Sequence, residues 1–283
     1  PFLVRNSLQE GMSIINPDMV SMINFSAGGF EAKYGDKMSS ALNIYYRKPS
    51  KTEISVEASL IGGRLSLGLA SKNKKLSALF TGRYRYTNLV LNTLNEDTNF
   101  NPQYFDFQSY INYYINDKWS VSFLGYWSKN DYEMIPNYKE VDFGSVQQPI
   151  KLLVGYEGKE DDSYKNMMGT ASIMYKPSKK LSVTLDNFAY QNREREYYTI
   201  ASGYLLQTFD PVTGDPNSSY DAGGQIDHAR NDLLARTYGS QLRLKFSPNA
   251  NTDLEVGAKF EKEMLKDLTN EWQLVDSLGY STP

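Results

Sequence analysis

The sequence predicts an all-β fold, an up-and-down antiparallel segment of a transmembrane β-barrel, and three observations predict it. Apolar and polar residues alternate with a period of two through most of the 283 residues. The connections between alternating segments are short and long in rotation. Aromatic residues reach 13%, with 22 tyrosines. A period of two places successive side chains on opposite faces of a strand. Sorting the long connections to one end, over strands of about ten residues with aromatic girdles, is the pattern of a barrel that crosses a membrane.

Taken in order, the alternation marks about nine strands, at 54–60, 65–69, 76–86, 105–115, 119–128, 167–175, 181–189, 238–246 and 254–260. In 105–115 one parity carries Phe105, Phe107, Ile111, Tyr113 and Ile115, and the other carries Asp106, Gln108 and Asn112, with Tyr110 and Tyr114. In 119–128 Trp119, Val121, Phe123 and Trp127 oppose Ser120, Ser122 and Ser128. In 254–260 Leu254, Val256, Ala258 and Phe260 oppose Glu255 and Lys259. The short connections are 71–75, 116–118, 178–180 and 247–252. The long ones are 88–103, 130–165 and 200–236, with a last one opening near 266. The bend Ile61-Gly62-Gly63 is the exception, being tight where the rotation calls for a long connection.

The competing reading is a soluble β-protein whose apolar faces form an ordinary core. That reading leaves the sorted connections unexplained. It also leaves a rich polar face, with Glu53, Glu57, Arg83, Arg85, Asp106, Asp186, Arg243, Lys245, Glu255 and Lys259, that calls for a wet lumen or a polar filling. In the barrel, Phe105, Phe107, Trp119, Phe123, Trp127, Leu242, Leu244 and Phe260 face outward, while Asp106, Ser122, Arg243 and Lys259 face the lumen.

Composition removes other classes. No apolar run approaches the roughly 18–20 residues of a membrane-spanning helix. A formal charge of −3 gives no reason to expect nucleic acid as a partner. With no cysteine, thiolate metal sites, disulfides and thiol nucleophiles are excluded. The chain begins at Pro1 and stops at Pro283 within a polar stretch, and it reads as a piece of a longer protein.

Residues 12–49, MSIINPDMVSMINFSAGGFEAKYGDKMSSALNIYYRKP, differ from the rest of the chain. Asn16-Pro17-Asp18-Met19-Val20 reads as a helical turn, Met22-Ile23-Asn24-Phe25 as a strand, Gly28-Gly29 as a turn, and Ser39-Ser40-Ala41-Leu42-Asn43-Ile44 as a closing strand after the pair Tyr34-Gly35. This run resembles the C-terminal end of the plug domain of TonB-dependent outer-membrane receptors, departing from it at Ser39-Ser40, where many members carry glycine. The resemblance implies that residues 1–50 end a plug, and that residues 51–283 open a 22-stranded plugged barrel in the cell outer membrane. It implies partners as well: outer-membrane lipid, the TonB energy-coupling protein acting through a segment this chain lacks, and a surface lipoprotein. The structural motif residues are then Gly28, Gly29, Tyr34, Gly35, Ser39 and Ser40.

Candidate ligand contacts are Tyr132, Tyr138, Phe143 and Tyr156 of the long segment 130–165, where exposed rings offer apolar faces to a flat ligand or pack the segment on itself with Tyr164. Arg83 and Arg85 would guide an anion along the lumen, or pair with carboxylates there. Asp210, Asp215, Asn217 and Asp221 carry the hard oxygens that calcium takes, without the spacing of an EF-hand loop. His228 follows Asp227 but belongs to no nucleophile motif, so no catalytic residue, cofactor or enzymatic activity is expected. The function expected is import of a scarce, bulky nutrient such as a glycan, peptide or siderophore. The alternative is a barrel that serves as a surface binding or assembly component without transport. Alone, residues 1–283 are expected not to behave as a soluble monomer, because both sheet edges and the apolar face would be uncovered.

Overall fold

A computed structural model of the chain describes residues 14–29, 31, 34–35, 40–86 and 98–278. Its elements are a 3-10 turn at Pro17–Met19 and fourteen strands: β1 (Val20–Ala27), β2 (Ser40–Tyr46), β3 (Glu53–Ser59), β4 (Gly62–Ala70), β5 (Leu76–Tyr86), β6 (Thr98–Phe100), β7 (Gln103–Tyr114), β8 (Trp119–Pro136), β9 (Lys139–Ser145), β10 (Gln148–Ser178), β11 (Leu181–Phe209), β12 (Pro216–Asn249), β13 (Thr252–Leu268) and β14 (Glu271–Asp276). The fold is all-β, and every pairing among the described residues is antiparallel.

Nine strands follow one another in simple up-and-down order, β3-β4-β5-β7-β8-β10-β11-β12-β13. They correspond one to one with the nine that the alternation marks. Antiparallel neighbours can be joined by tight turns, and here the joins at 71–75, 115–118, 179–180 and 250–251 are all short. Among the described residues the sheet does not close on itself, since β3 and β13 are its two edges. β1 and β2 form a separate two-stranded sheet, with Phe25 opposite Leu42 and Ile23 opposite Ile44.

Of the segments expected as long loops, 130–165, 200–236 and the residues from 266 are mostly strand, while 88–97 lies outside the described residues. β8 continues to Pro136, β10 begins at Gln148, β11 runs to Phe209 and β12 begins at Pro216. β10, β11 and β12 have 31, 29 and 34 residues, so each spans about 100 Å at roughly 3.3 Å per residue. Short strands β6, β9 and β14 pair onto these extensions. The reason the pattern hides them is that beyond the alternating core both faces of the extensions carry polar residues, so the period-two apolar signal disappears while the backbone ladder continues.

The bend at 61–63 is as tight as the sequence indicates. Gly62 has φ +142°, and a Cβ there would lie 2.1 Å from the carbonyl oxygen of Tyr84, so only glycine fits.

The two faces of the sheet are inverted relative to a soluble protein. Asp106, Gln108, Thr81, Ser66 and Ser128 are each 2% exposed or less, whereas Ile54, Val56, Val256 and Phe260 are 69% exposed or more. The register puts the buried polar residues of neighbouring strands opposite one another: Thr81 faces Gln108, Asp106 faces Ser128, and Asn166 faces both Ser128 and Asn192. The other parity is an apolar face. Phe105, Phe107, Trp119, Phe123, Leu242, Leu244 and Phe260 are exposed on it, and Trp127 is half-buried against Phe105, ring centroids 5.6 Å apart. Lys259 shares the polar parity with Arg243 yet is exposed, because β13 is an edge.

Candidate functional site

The polar face is built from the alternation of β5, β7, β8, β10 and β11, and its most buried charge is Asp106 on β7. Arg83, directly cross-strand on β5, donates to both carboxylate oxygens at 3.0 and 3.1 Å from Nε and at 2.5 Å from Nη2. Tyr104 and Gln108, two residues either side on the same face, each donate to Asp106 Oδ2 at 2.9 Å. A carboxylate removed from water is stable only when its lone pairs are filled this way.

The same donors reach the segment that precedes the barrel-like strands. Gln108 Nε2 donates to the carbonyl of Ile14 at 2.8 Å, and Arg83 Nη1 to that of Ile15 at 3.3 Å. The 3-10 turn follows at once, capped by Asn16, whose Oδ1 accepts from the Asp18 amide at 3.0 Å. Asn16 and Met19 are fully buried. Asp18 pairs with Arg64 of β4 at 3.4 Å. Arg47, just after β2, donates to the carbonyl of Asp18, pairs with Glu53 of β3 and reaches Ser66 Oγ at 3.2 Å. Lys48 donates to the Tyr114 hydroxyl at 3.1 Å, and Tyr46 packs on Tyr110. Residues 14–19 and 46–48 therefore rest on the polar face of β3, β4, β5 and β7, held mainly by charge-assisted hydrogen bonds.

Further along the sheet Asn166 accepts from Tyr190 and Asn192 at 2.9 Å and donates to Ser128 at 3.3 Å. In the extensions the polar face becomes acidic. Asp162 lies between Tyr132 and Glu196 across the register. Burial, then the charges of Glu160 and Glu196, push its carboxyl up to about 7. Burial and Glu196 raise Glu160, and burial with Glu160 and Asp162 pushes Tyr132 up to about 12. On the apolar-parity side of the extensions the charges are paired instead. Lys159 joins Glu133 at 2.8 Å, and Arg193 and Arg195 hold Asp232 at 2.5 and 3.2 Å, which lowers the carboxyls of Glu133 and Asp232.

The residues singled out in the sequence fall in different surroundings. Arg83 is at the Asp106 hub, whereas Arg85, on the same face, is exposed. Arg243 pairs with Asp186 at 2.6 Å and Lys245 with Asp253 at 2.9 Å. Tyr132 is buried on the polar face, while Tyr138, Phe143 and Tyr156 are exposed on the extensions. Gly28 takes φ +79° with open space around it, so its role is the turn rather than a close approach. Gly29 and Gly35 are described, Tyr34 accepts from Asn43 at 3.1 Å, Ser40 opens β2, and Ser39 lies outside the described residues.

Asp210 binds the amides of Val212 and Thr213, and Asp221 that of Gly223, so both serve turns. Asp215 and Asn217 are exposed, and among the described residues no three His, Cys, Asp or Glu side chains converge to hold a metal. His228 stacks on Trp272 and shares a 2.9 Å hydrogen bond with Thr199, while Asp227, on the opposite face, accepts from Gln225 and Gln273. Sequence reasoning missed Tyr104, whose role depends on Asp106, and placed Asn16 at the start of the docked turn from its Asn-Pro-Asp signature.

No family model matches the chain, and none of the curated proteins does. Among solved structures it is similar to the crystal structure of BauA, the ferric preacinetobactin receptor from Acinetobacter baumannii, at 10% identity and a TM-score of 0.33. The match covers 89% of this chain and 51% of that one, so the chain spans about half the length of the structure it matches.

The apolar face has an edge that can be measured. Moving from the short turns toward the extensions, the first cation or glutamine on this parity follows Phe105 on β7, Trp127 on β8, Met167 on β10, Ala189 on β11, Tyr238 on β12 and Phe260 on β13, and Leu234, Met264 and Leu268 lie beyond it on the same parity. In register, Phe105 stands opposite Lys129, while Phe260 traces back through Ser240, Asn187 and Ala171 to Phe123. The edge thus slips from the level of residue 129 to that of residue 123 over five strand-to-strand steps. At about 3.3 Å per residue and about 4.8 Å per strand, that is a slope of about 40°. The opposite edge carries Tyr113, Trp119, Tyr175 and Phe246, with Trp119 stacked on Tyr175 at 4.3 Å.

Proposed function

We propose that this chain is the wall of an outer-membrane β-barrel with the end of its plug, and that the whole protein imports a scarce, bulky nutrient. The observation that carries the reading is the sloped apolar band over a buried polar face. Strands of a membrane barrel tilt by about 35–45°, so a band level with a bilayer must cross them obliquely, and the slope of about 40° is what that tilt requires. Aromatic side chains at both edges of the band support the same reading. So does its height, since from Trp119 to Trp127 a strand rises about 27 Å along its length, or about 20 Å once tilted.

In this reading residues 1–50 end the plug, and residues 14–19 and 46–48 lie on the lumen face through Arg83, Gln108, Arg64 and Glu53. Polar contacts of this kind hold the segment without the large apolar burial that would fix it permanently. The resemblance of residues 12–49 supports the plug, and it alone supports coupling to TonB. We propose no enzymatic activity for the chain, and as partners outer-membrane lipid, TonB and a surface lipoprotein.

The length of β10, β11 and β12 favours a second reading, in which the barrel anchors a surface complex and transports nothing. Two measurements test the proposal. The 283 residues are free of cysteine, so in the full-length protein, with any cysteine outside them replaced by serine, Phe123→Cys and Ser122→Cys can each carry a single fluorophore in bilayers. Brominated lipid should quench the probe at 123 and spare the probe at 122; equal quenching would overturn the membrane wall. A strain lacking the gene, grown on iron chelates, glycans or peptides as limiting nutrient, should lose growth on one class. Unchanged growth on all of them favours the anchoring alternative.

A further inference from the structure

Charge is sorted between the two faces of the extensions. On the polar parity β10 carries Glu160 and Asp162, β11 carries Glu194 and Glu196, β12 carries Asp227 and β14 carries Glu271. The register gathers them: Asp162 stands opposite Glu196, Tyr198 opposite Glu160 and Ala229, and Ala229 opposite Glu271. No lysine or arginine occupies this parity within 160–164, 194–198 or 227–231. The cations of the same strands, Lys159, Lys165, Arg193, Arg195 and Arg230, all stand on the other parity.

Among the described residues Glu160, Asp162, Glu196, Asp227 and Glu271 form no ion pair, because the cations nearest in sequence are taken up across the sheet by Glu133, Asp161 and Asp232. Glu196 and Glu271 both accept from the neutral Asn231, and Asp227 accepts from Gln225 and Gln273. Asp162 is 8% exposed, yet its Oδ1 takes no hydrogen bond. A buried acceptor left open is costly until a donor fills it. Burial, then the charges of Asp162, Glu194, Glu196 and Glu160, push up the hydroxyl of Tyr164, the next residue on this face. Here a cavity of about 230 Å³ is lined by Tyr164, Glu194, Glu196, Asn231 and Asp267. Arg195 also borders it, but its Nε is held by Asp232 at 3.2 Å on the other parity.

We infer that this acidic face binds an organic polycation, a flexible chain bearing several ammonium groups such as a basic oligopeptide or a polyamine, with one ammonium entering between Tyr132 and Glu196 to reach Asp162. The inference rests on the proposed function above, which makes this parity the wall of the lumen, and it names the class of nutrient. Carboxylates two residues apart on a strand are spaced by about 6.6 Å, and those on neighbouring strands by about 4.8 Å. Calcium needs its oxygens within about 2.6 Å, and among the described residues no three such side chains converge on one point. Ammonium groups strung along a chain fit the wider steps. Tyr132, Tyr164 and Tyr198 stand among the carboxylates and offer ring faces to the same cations. A cleft lined by one sign of charge focuses the field and draws in ligands of the other sign.

The test titrates the full-length protein in phosphatidylcholine nanodiscs with tetralysine, spermine and tetraglutamate by calorimetry. Tetralysine or spermine should bind at least about tenfold tighter than tetraglutamate, and the tighter of the two names the source, peptide or polyamine. Asp162→Asn with Glu196→Gln should cost about tenfold or more of that affinity. Glu133→Gln, a carboxylate on the other parity, should leave it unchanged. Equal affinity of the wild type and the double variant overturns the inference. Calcium at the same concentration should not compete; if it displaces the polycation, the face holds a metal ion and the proposal falls. Should the double variant not fold, the exposed Glu196→Gln alone decides by the same comparison, with a loss of about threefold expected. If the probes at 122 and 123 quench alike, the membrane wall and this inference fall together. If they differ and neither polycation binds tighter than tetraglutamate, this inference alone falls.

Discussion

The stretch of sheet near the short turns and the extensions beyond it share the same strands and the same unbroken ladder, yet they are chemically different objects. On β10 one face reads Ile173, Ala171, Met167 below the edge and Lys165, Ser163, Asp161, Lys159 above it, within one run of hydrogen bonds. Below, buried polar groups on one side oppose exposed apolar groups on the other. Above, both faces are polar, and charges pair along one face while carboxyls crowd on the other. The backbone defines where a strand is, and the side chains define what surrounds it. A single strand can pass between two solvents with no change in its geometry.

This contrast can be broken at its most buried point. Asp106→Ala leaves the Arg83 guanidinium on the polar face without its carboxylate, and is expected to cost about 3–5 kcal/mol in urea unfolding of the full-length protein in bilayers. Replacing a charged extension residue of similar pairing but greater exposure, Glu133→Ala, should cost no more than about 1 kcal/mol. Similar losses at the two sites would mean that the lower polar face is as wet as the extensions.

The apolar face gives the next largest effect. Phe123→Arg should cost about 2–4 kcal/mol if the side chain meets hydrocarbon near the midplane. Ser122, its neighbour on the polar parity, should tolerate replacement nearly silently, and so should the exposed Tyr156 in the extension. Unfolding free energies for the three variants sharpen the comparison, and a Phe123→Arg variant as stable as wild type contradicts it.

At the bend between β3 and β4, Gly62→Ala forces a Cβ toward the Tyr84 carbonyl in a conformation that side chains avoid. A loss of about 1–3 kcal/mol is expected, whereas Gly28→Ala, with open space around it, should cost the smaller part of that range.

The most local of the expected effects belongs to the acidic extension. The Asp162 carboxyl is raised from its unfolded value of about 3.9 to about 7, so the folded state favours the protonated form. Its contribution is therefore most favourable below about pH 4 and is lost as pH rises through 7. Hydrogen exchange of the β10–β11 extension should speed up between pH 5 and pH 8 by more than the intrinsic chemistry predicts. Asp162→Asn should flatten that dependence while leaving exchange near the short turns unchanged. An excess that persists in the variant would locate the proton elsewhere.

Much of this was legible in the residues. The strands at 76–86, 105–115 and 181–189 are found at Leu76–Tyr86, Gln103–Tyr114 and the start of Leu181–Phe209, because one apolar and one polar face write a period of two. The turn at Pro17 was legible from its Asn-Pro-Asp start. The extensions were not, because Lys159 to Ser163 and Arg193 to Glu196 have no apolar parity to reveal a strand that is polar on both sides. Arg83 was legible as a residue of the polar face, but its partner was not, since Asp106 is 23 positions away along the chain.

The sequence by itself determined which parity of each strand is apolar, the up-and-down order that short turns impose, and the turn that opens the docked segment. These are local quantities, fixed by alternation and by backbone constraints over a few residues. The tertiary structure alone decided that Arg83 and Gln108 divide their donors between Asp106 and the carbonyls of Ile14 and Ile15, and that the apolar edge crosses the strands at about 40°. Both depend on register, which sets every cross-strand neighbour at once through contacts between residues far apart in sequence.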